Sequence, residues 1–189
     1  MAEALLRARL ATAAPEVEIG SAGFVLDGAP ADPHAVRAMA KRGLDISGHR
    51  ARRASAELLA GTSLILGMER RHIREAHALD PALFARSFTL PELVYAAQAM
   101  GPRGADEGLR SWAERVGSLR SPEAYAGQDP TTEIADPLGH SSRVFRACAE
   151  QIDELLGELV SMAWPASLPR DPMVAPDPTG GIHADRDRR

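Results

Sequence analysis

The chain is 189 residues long, with 44% apolar and 25% charged side chains and a formal net charge of −4. That is enough chain for one domain with its own core. A single cysteine, Cys148, excludes an internal disulfide framework and a multi-cysteine zinc site, which makes the cytoplasm the expected compartment. Of the 22 basic residues 21 are arginine, but they are scattered along the chain and outnumbered by acids, so no nucleic-acid surface is expected. No apolar run approaches the roughly 20 residues that cross a bilayer, and the first residues lack a basic head followed by an apolar core. Neither a membrane span nor a signal peptide is expected.

Residues 1 to about 12 read as a helix, because Met1, Ala4, Leu5 and Ala8 follow the helical period while Glu3, Arg7 and Arg9 take the other face. It opens without a capping residue. Val17 to Gly20 alternates like a strand and runs into the small residues Ser21, Ala22 and Gly23. Asp32 and Pro33 are a cap and first-turn pair for a helix whose buried stripe is Val36, Met39 and Ala40. A polar connection, Leu44 to Arg52, is followed by a short helical turn at Ala56 to Ala60.

Ser63 to Met68 is a continuous apolar run of the kind buried on both faces of a parallel sheet. Arg70 to His77 reads as helix, Arg86 to Leu90 as a second short strand, and Leu93, Val94, Ala97 and Met100 as the inner face of the next helix. This alternation predicts an α/β fold with a parallel doubly wound sheet flanked by helices. Residues 101–133 read as a polar surface insertion carrying one helix with Leu109, Trp112, Val116 and Leu119. The clearest helix is Val144 to Val160, capped by Ser141 or Ser142, with Phe145, Cys148, Ile152, Leu155, Leu156 and Leu159 on one face. Residues 1–164 are therefore expected to form the domain and 165–189, rich in Pro, Asp, Gly and Arg, a disordered tail.

The sequence holds no Walker-type or dinucleotide-type glycine loop and no GxSxG elbow. His72 and His77, five apart, fall on different helix faces, so no metal site is expected, and nothing calls for a cofactor. Cys148 sits among core positions of the last helix and reads as a small buried residue.

Taken in order, MAEALLRARLA, VEIGSAG, GAPADPHAV, RGLDISGHRAR, LILGMERRH and IADPLG before an amphipathic last helix resemble the low-molecular-weight protein tyrosine phosphatases of bacterial type, from about residue 1 to residue 160. The resemblance implies a parallel sheet with the site at the carboxyl ends of its strands. It also implies hydrolysis of a phosphotyrosine protein or a small aryl phosphate through a phosphocysteine. In the family a CxxxxxR[ST] loop lies between the first strand and the first helix, and its backbone and arginine hold the phosphate at the helix N-terminus. That loop normally precedes the MAEALLR helix, so the expectation is that the first, central strand and the nucleophile are missing from this chain, which would be inactive as written. By position Asp136 matches the general acid and base, and Ser21 and His49 match the residues that support the phosphate loop through hydrogen bonds. Leu138 and Gly139 stand where many members carry pocket-walling tyrosines, which leaves Phe24 as the only aromatic candidate in the facing loop. Arsenate reductases on the same fold need additional cysteines that are absent here. The competing expectation is a non-catalytic, phosphatase-like binding protein.

Overall fold

A computed structural model describes residues 1–127 and 129–165, and the expected tail lies almost wholly outside the described residues. Helix α1 spans Ala2–Ala13 with Met1 at its start and no side-chain cap. Its buried side chains are Leu5 and Leu10; Ala8, expected inside, is exposed, because two leucines bury more apolar surface than an alanine-bearing face. Helix α2, Pro33–Ala40, starts as its sequence indicates: Asp32 accepts a 2.6 Å hydrogen bond from the His34 backbone N–H, and Pro33 occupies the first turn. Its inner face is Ala35, Ala38 and Met39, with Ala40 exposed. The small alanines on that face suit close packing against the last helix.

After the short helix α3, Ala56–Ala60, the chain forms strand β1, Ile65–Gly67, helix α4, Arg70–Leu79, a 3-10 turn at Pro81–Arg86 and strand β2, Ser87–Thr89. β1 and β2 pair in parallel, with Ile65 opposite Ser87 and Gly67 opposite Thr89, so β1–α4–β2 is one crossover unit. Gly67 ends β1 without a side chain for a steric reason: a Cβ there would lie 3.0 Å from both His72 Cβ and Ile73 Cδ1. Helix α5, Leu90–Met100, follows β2 directly, with Thr89 and Glu92 forming a reciprocal cap. Leu93, Val94 and Ala97 are fully buried, whereas Met100 is exposed. Helix α6, Leu109–Val116, buries Trp112, Ala113 and Val116 in the main core, and Leu119 points outward.

Helix α7, Ser142–Ala163, packs against α1, α2 and α5 and carries Phe145, Cys148, Ile152, Leu156 and Leu159 inward. Ser141 occupies its N-cap position with extended backbone but makes no side-chain cap bond. The expected period is correct; the expected hydroxyl cap is not formed.

The main departure from expectation is Val17 to Gly20. It is not a strand; among the described residues this region makes only a lone parallel bridge, Gly23 to Arg53. An alternating sequence becomes a strand only when a neighbour satisfies its backbone, and here none lies alongside. The sheet of the described residues therefore has two strands, with helices around it.

Candidate active site

The carboxyl end of β1 leads through Met68 and Glu69 into the N-terminus of α4, and this junction organises the site. The His72 ring accepts hydrogen bonds at Nδ1 from the backbone N–H groups of Glu69 (3.2 Å) and Met68 (3.3 Å). Phe24 stacks on the same ring, 6.4 Å between centroids and 14° between planes. Burial, followed by the neighbouring Arg71 charge, holds the His72 pKa below its ordinary value. A neutral ring is what the two N–H donors require.

The segment bearing Asp136 is fastened to this junction. Ile134 donates its backbone N–H to the Met68 carbonyl at 2.7 Å and buries its side chain in the core. One residue earlier, Glu133 accepts from the Arg70 backbone N–H at 2.7 Å and from the Asp129 N–H at 3.3 Å. Arg70 in turn pairs with Asp129 at 2.9 Å. Two residues beyond this anchor, Asp136 is half exposed, accepts from the Leu138 N–H at 3.0 Å and lies 3.7 Å from Arg71. The carboxylate is thus held in a short turn yet remains open to an incoming molecule.

An open cavity of about 1590 Å³ runs from this turn to the start of α1, lined by both the 16–24 stretch and the 61–69 stretch. Asp136, Ser21 and His49 all line it. The Ser21 hydroxyl donates to Glu3, which also pairs with Arg7 at 2.6 Å. The His49 ring makes no hydrogen bond among the described residues, although its backbone N–H closes a turn onto Ile46. Leu138 is exposed, as are Val25 and Leu26 beyond Phe24.

Cys148 also borders the cavity, but from beneath. It is buried on α7, with Sγ 4.0 Å from the Ala135 carbonyl. Burial, together with the Asp136 charge, pushes its thiol pKa up, so it is a protonated core thiol. Among the described residues no group of three His, Cys, Asp or Glu side chains could hold a metal ion. No described helix is long and apolar enough to cross a membrane. Sequence reasoning missed Glu133, Arg70 and His72; the only signal for Glu133 was its position three residues before Asp136.

Residues 1–101 match the family described as low molecular weight phosphotyrosine protein phosphatase. The chain is 37% identical over 131 residues to the probable low molecular weight protein-tyrosine-phosphatase EpsP of Ralstonia solanacearum, covering 63% of this chain and 88% of that one. It is 40% identical over 70 residues to the low molecular weight protein-tyrosine-phosphatase Wzb of Escherichia coli K12, covering 36% and 48% of the two chains. Among solved structures, the low molecular weight protein tyrosine phosphatase from T. tengcongensis superposes with a TM-score of 0.61 at 26% identity, covering 85% of this chain and 87% of that one. The YwlE arginine phosphatase from Geobacillus stearothermophilus shares the fold at a TM-score of 0.58 and 24% identity, over 85% and 80% of the chains. The chain belongs to the low molecular weight phosphotyrosine protein phosphatase family.

Proposed function

We propose that the protein acts on phosphotyrosine proteins or small aryl phosphates, with Asp136 as proton donor and acceptor and with Ser21 and His49 supporting the phosphate-binding loop. The observation that carries this reading is the Glu133–Ile134 anchor, which holds Asp136 half exposed on the cavity that Ser21 and His49 also line. In the first step a thiolate attacks phosphorus, the P–O bond to the aryl group breaks, and the leaving oxygen takes the proton of Asp136. In the second, the Asp136 carboxylate takes a proton from water as that water attacks the phosphocysteine, releasing phosphate and the thiolate.

The 189 residues do not themselves supply that thiolate. The sequence contains no CxxxxxR, and Cys148, the only cysteine, is a buried helix residue with a raised pKa followed by Asp153 and Glu154 rather than arginine. The chain as written is accordingly read as catalytically silent, with 1–164 as the phosphatase-like unit and the cytoplasm as its compartment. An aryl phosphate assay tests the reading: the purified chain gives no vanadate-sensitive turnover above background, and turnover that Cys148→Ser abolishes overturns it. Preceding the chain with the CxxxxxR-bearing segment of a curated relative creates activity. In that form Asp136→Asn lowers kcat by about 10²- to 10⁴-fold for poor leaving groups and much less for good ones. An equal loss for all leaving groups rules out Asp136 as the acid.

A further inference from the structure

We propose that Tyr125, inside the segment 101–133 that the sequence presents as a surface insertion, is a positioning residue for Asp136 and acts on it through Arg70. The loop that bears Asp136 is joined to α4 by a closed ring of contacts. The Arg70 guanidinium pairs with Asp129 at 2.9 Å, the Asp129 backbone N–H donates to Glu133 at 3.3 Å, and Glu133 accepts the backbone N–H of Arg70 at 2.7 Å. Between Asp129 and Glu133 the chain is drawn into a turn. The Asp129 carboxylate accepts from the Thr131 N–H at 3.1 Å and from its hydroxyl at 2.6 Å, and the Asp129 carbonyl accepts the Thr132 N–H at 3.0 Å. Ile134 follows, bonded to Met68, and Asp136 stands two residues beyond it. The place of the Arg70 guanidinium therefore sets where the acid loop begins.

An arginine side chain has many rotamers, so the ring is fixed only if that guanidinium is itself held. Tyr125 holds it: the Arg70 Cζ lies 5.3 Å from the centre of the Tyr125 ring, within reach of a cation–π contact. Arg70 also donates to the Ala124 carbonyl at 3.0 Å, and Arg74, one turn further along α4, donates to the Tyr125 carbonyl at 2.7 Å. Tyr125 is in turn immobilised, with only 3% of its surface exposed. Its ring meets Phe84 edge-on at 5.4 Å, and its hydroxyl accepts from Arg120 Nε at 2.9 Å and donates to Glu92. Burial, followed by the Glu92 bond, pushes the phenol pKa up, so it remains a donor. Packing against Phe84 alone would be satisfied by a leucine; the aromatic ring adds a flat face for the guanidinium of Arg70. Arg70, Tyr125, Asp129 and Glu133 do not line the cavity beside α1, so this support is the same whatever fills it.

The role assigned to Tyr125 rests on Asp136 being the acid, yet it can be tested without turnover. The test follows amide exchange and amide resonances in the full 189-residue chain. Tyr125→Leu is expected to speed exchange at Arg70 and Ile134 at least tenfold and to move the resonance of the Leu138 N–H, which donates to Asp136. Tyr125→Phe keeps the ring and loses only the hydroxyl, and is expected to bring Ile134 exchange back to within about threefold of wild type and the Leu138 resonance back to its place. Arg70→Lys keeps the charge without the planar face and is expected to behave as Tyr125→Leu does. It also leaves the buried ring untouched, so it carries the test if Tyr125→Leu does not fold. Exchange at Ile152 and Leu156 of α7 reports the stability of the whole and is expected to change by less than about threefold. Unchanged Ile134 exchange in Arg70→Lys, a Tyr125→Phe variant as disturbed as Tyr125→Leu, or α7 exchange that rises in step with Ile134 overturns the proposal. None of these results bears on Asp136 as the acid, which fails separately if its removal costs all leaving groups equally.

Discussion

His72 shows how one side chain joins a local structural role to the site. Its Nδ1 accepts from two backbone N–H groups at the start of α4, so protonation would replace an acceptor by a donor facing donors. The charges facing it are Arg71, Glu69, Glu75 and Asp136, and burial outweighs the acidic ones. A histidine whose folded pKa lies below the ordinary 6.5 binds fewer protons folded than unfolded, so its contribution is fully present above about 6.5 and is lost as pH falls through the lowered value. Urea unfolding at pH 7 and pH 5 checks this. The wild-type chain loses more stability over that interval than His72→Gln, whose amide oxygen accepts the same bonds without titrating; identical pH slopes would remove His72 from the account. Nothing in the sequence distinguished His72 from His77, because the decisive fact is which ring points back at its own helix start.

The elements were legible where a local rule decided them and illegible where a partner did. Asp32–Pro33 opens its helix through a bond spanning two residues, as expected, and the 3.6 period of α7 survives over its full length, whereas the Thr89–Glu92 cap of α5 was not read from the sequence. The alternation of Val17–Gly20 did not become a strand, since pairing is decided by a neighbour in space. The acid loop belongs to the second kind. Glu133 lies 63 residues from the Arg70 N–H that it accepts, a distance no periodicity spans. Glu133→Ala is expected to speed amide exchange at Arg70 and Ile134 at least tenfold and to leave α7 unchanged, and exchange that does not respond would show that Ile134 burial alone holds the loop. Arg120 works similarly for β2 and the 117–125 stretch. Its guanidinium lies 3.8 Å from the Phe88 ring centroid and 4.8 Å from that of Phe84, and it pairs with Glu92 at 3.0 Å. With only 11% of the Arg120 side chain exposed, Arg120→Ala removes the cationic partner of the Glu92 carboxylate, which keeps only the Tyr125 hydroxyl and the Thr89 backbone N–H. Thermal or urea unfolding should show a loss of roughly 3 kcal/mol or more. Arg120→Lys should recover little of it, because an ammonium lacks the planar face that stacks on both rings.

At the scale of the molecule, the fold places a well-packed helical layer beside a sheet with two paired strands. The packed side runs through Leu10, Met39, Phe88, Leu93, Trp112 and Leu159, none more than 2% exposed. The other side holds Val17, Ile19, Leu64 and Leu66, all only partly buried. Apolar side chains next to unpaired backbone are the combination that recruits neighbouring chains, and proteins commonly suppress it with a charge on the edge. Self-association of the 189-residue chain should therefore depend on these partly buried side chains rather than on net charge. Sedimentation velocity across a concentration series should show the wild-type chain forming concentration-dependent oligomers at low micromolar levels, and Ile19→Lys shifting the onset upward at least tenfold. Ile19 belongs to no helix or strand but packs partly buried against the core, so a circular dichroism spectrum and melting profile matching the wild type check that the substitution leaves the fold in place. A lysine at Val25, which is 74% exposed on the adjoining loop, changes net charge by the same amount and is expected to have little effect. Either lysine takes the net charge from −4 to −3 and so weakens overall repulsion; if Val25→Lys suppresses association as strongly as Ile19→Lys, the partly buried side chain of Ile19 does not govern association.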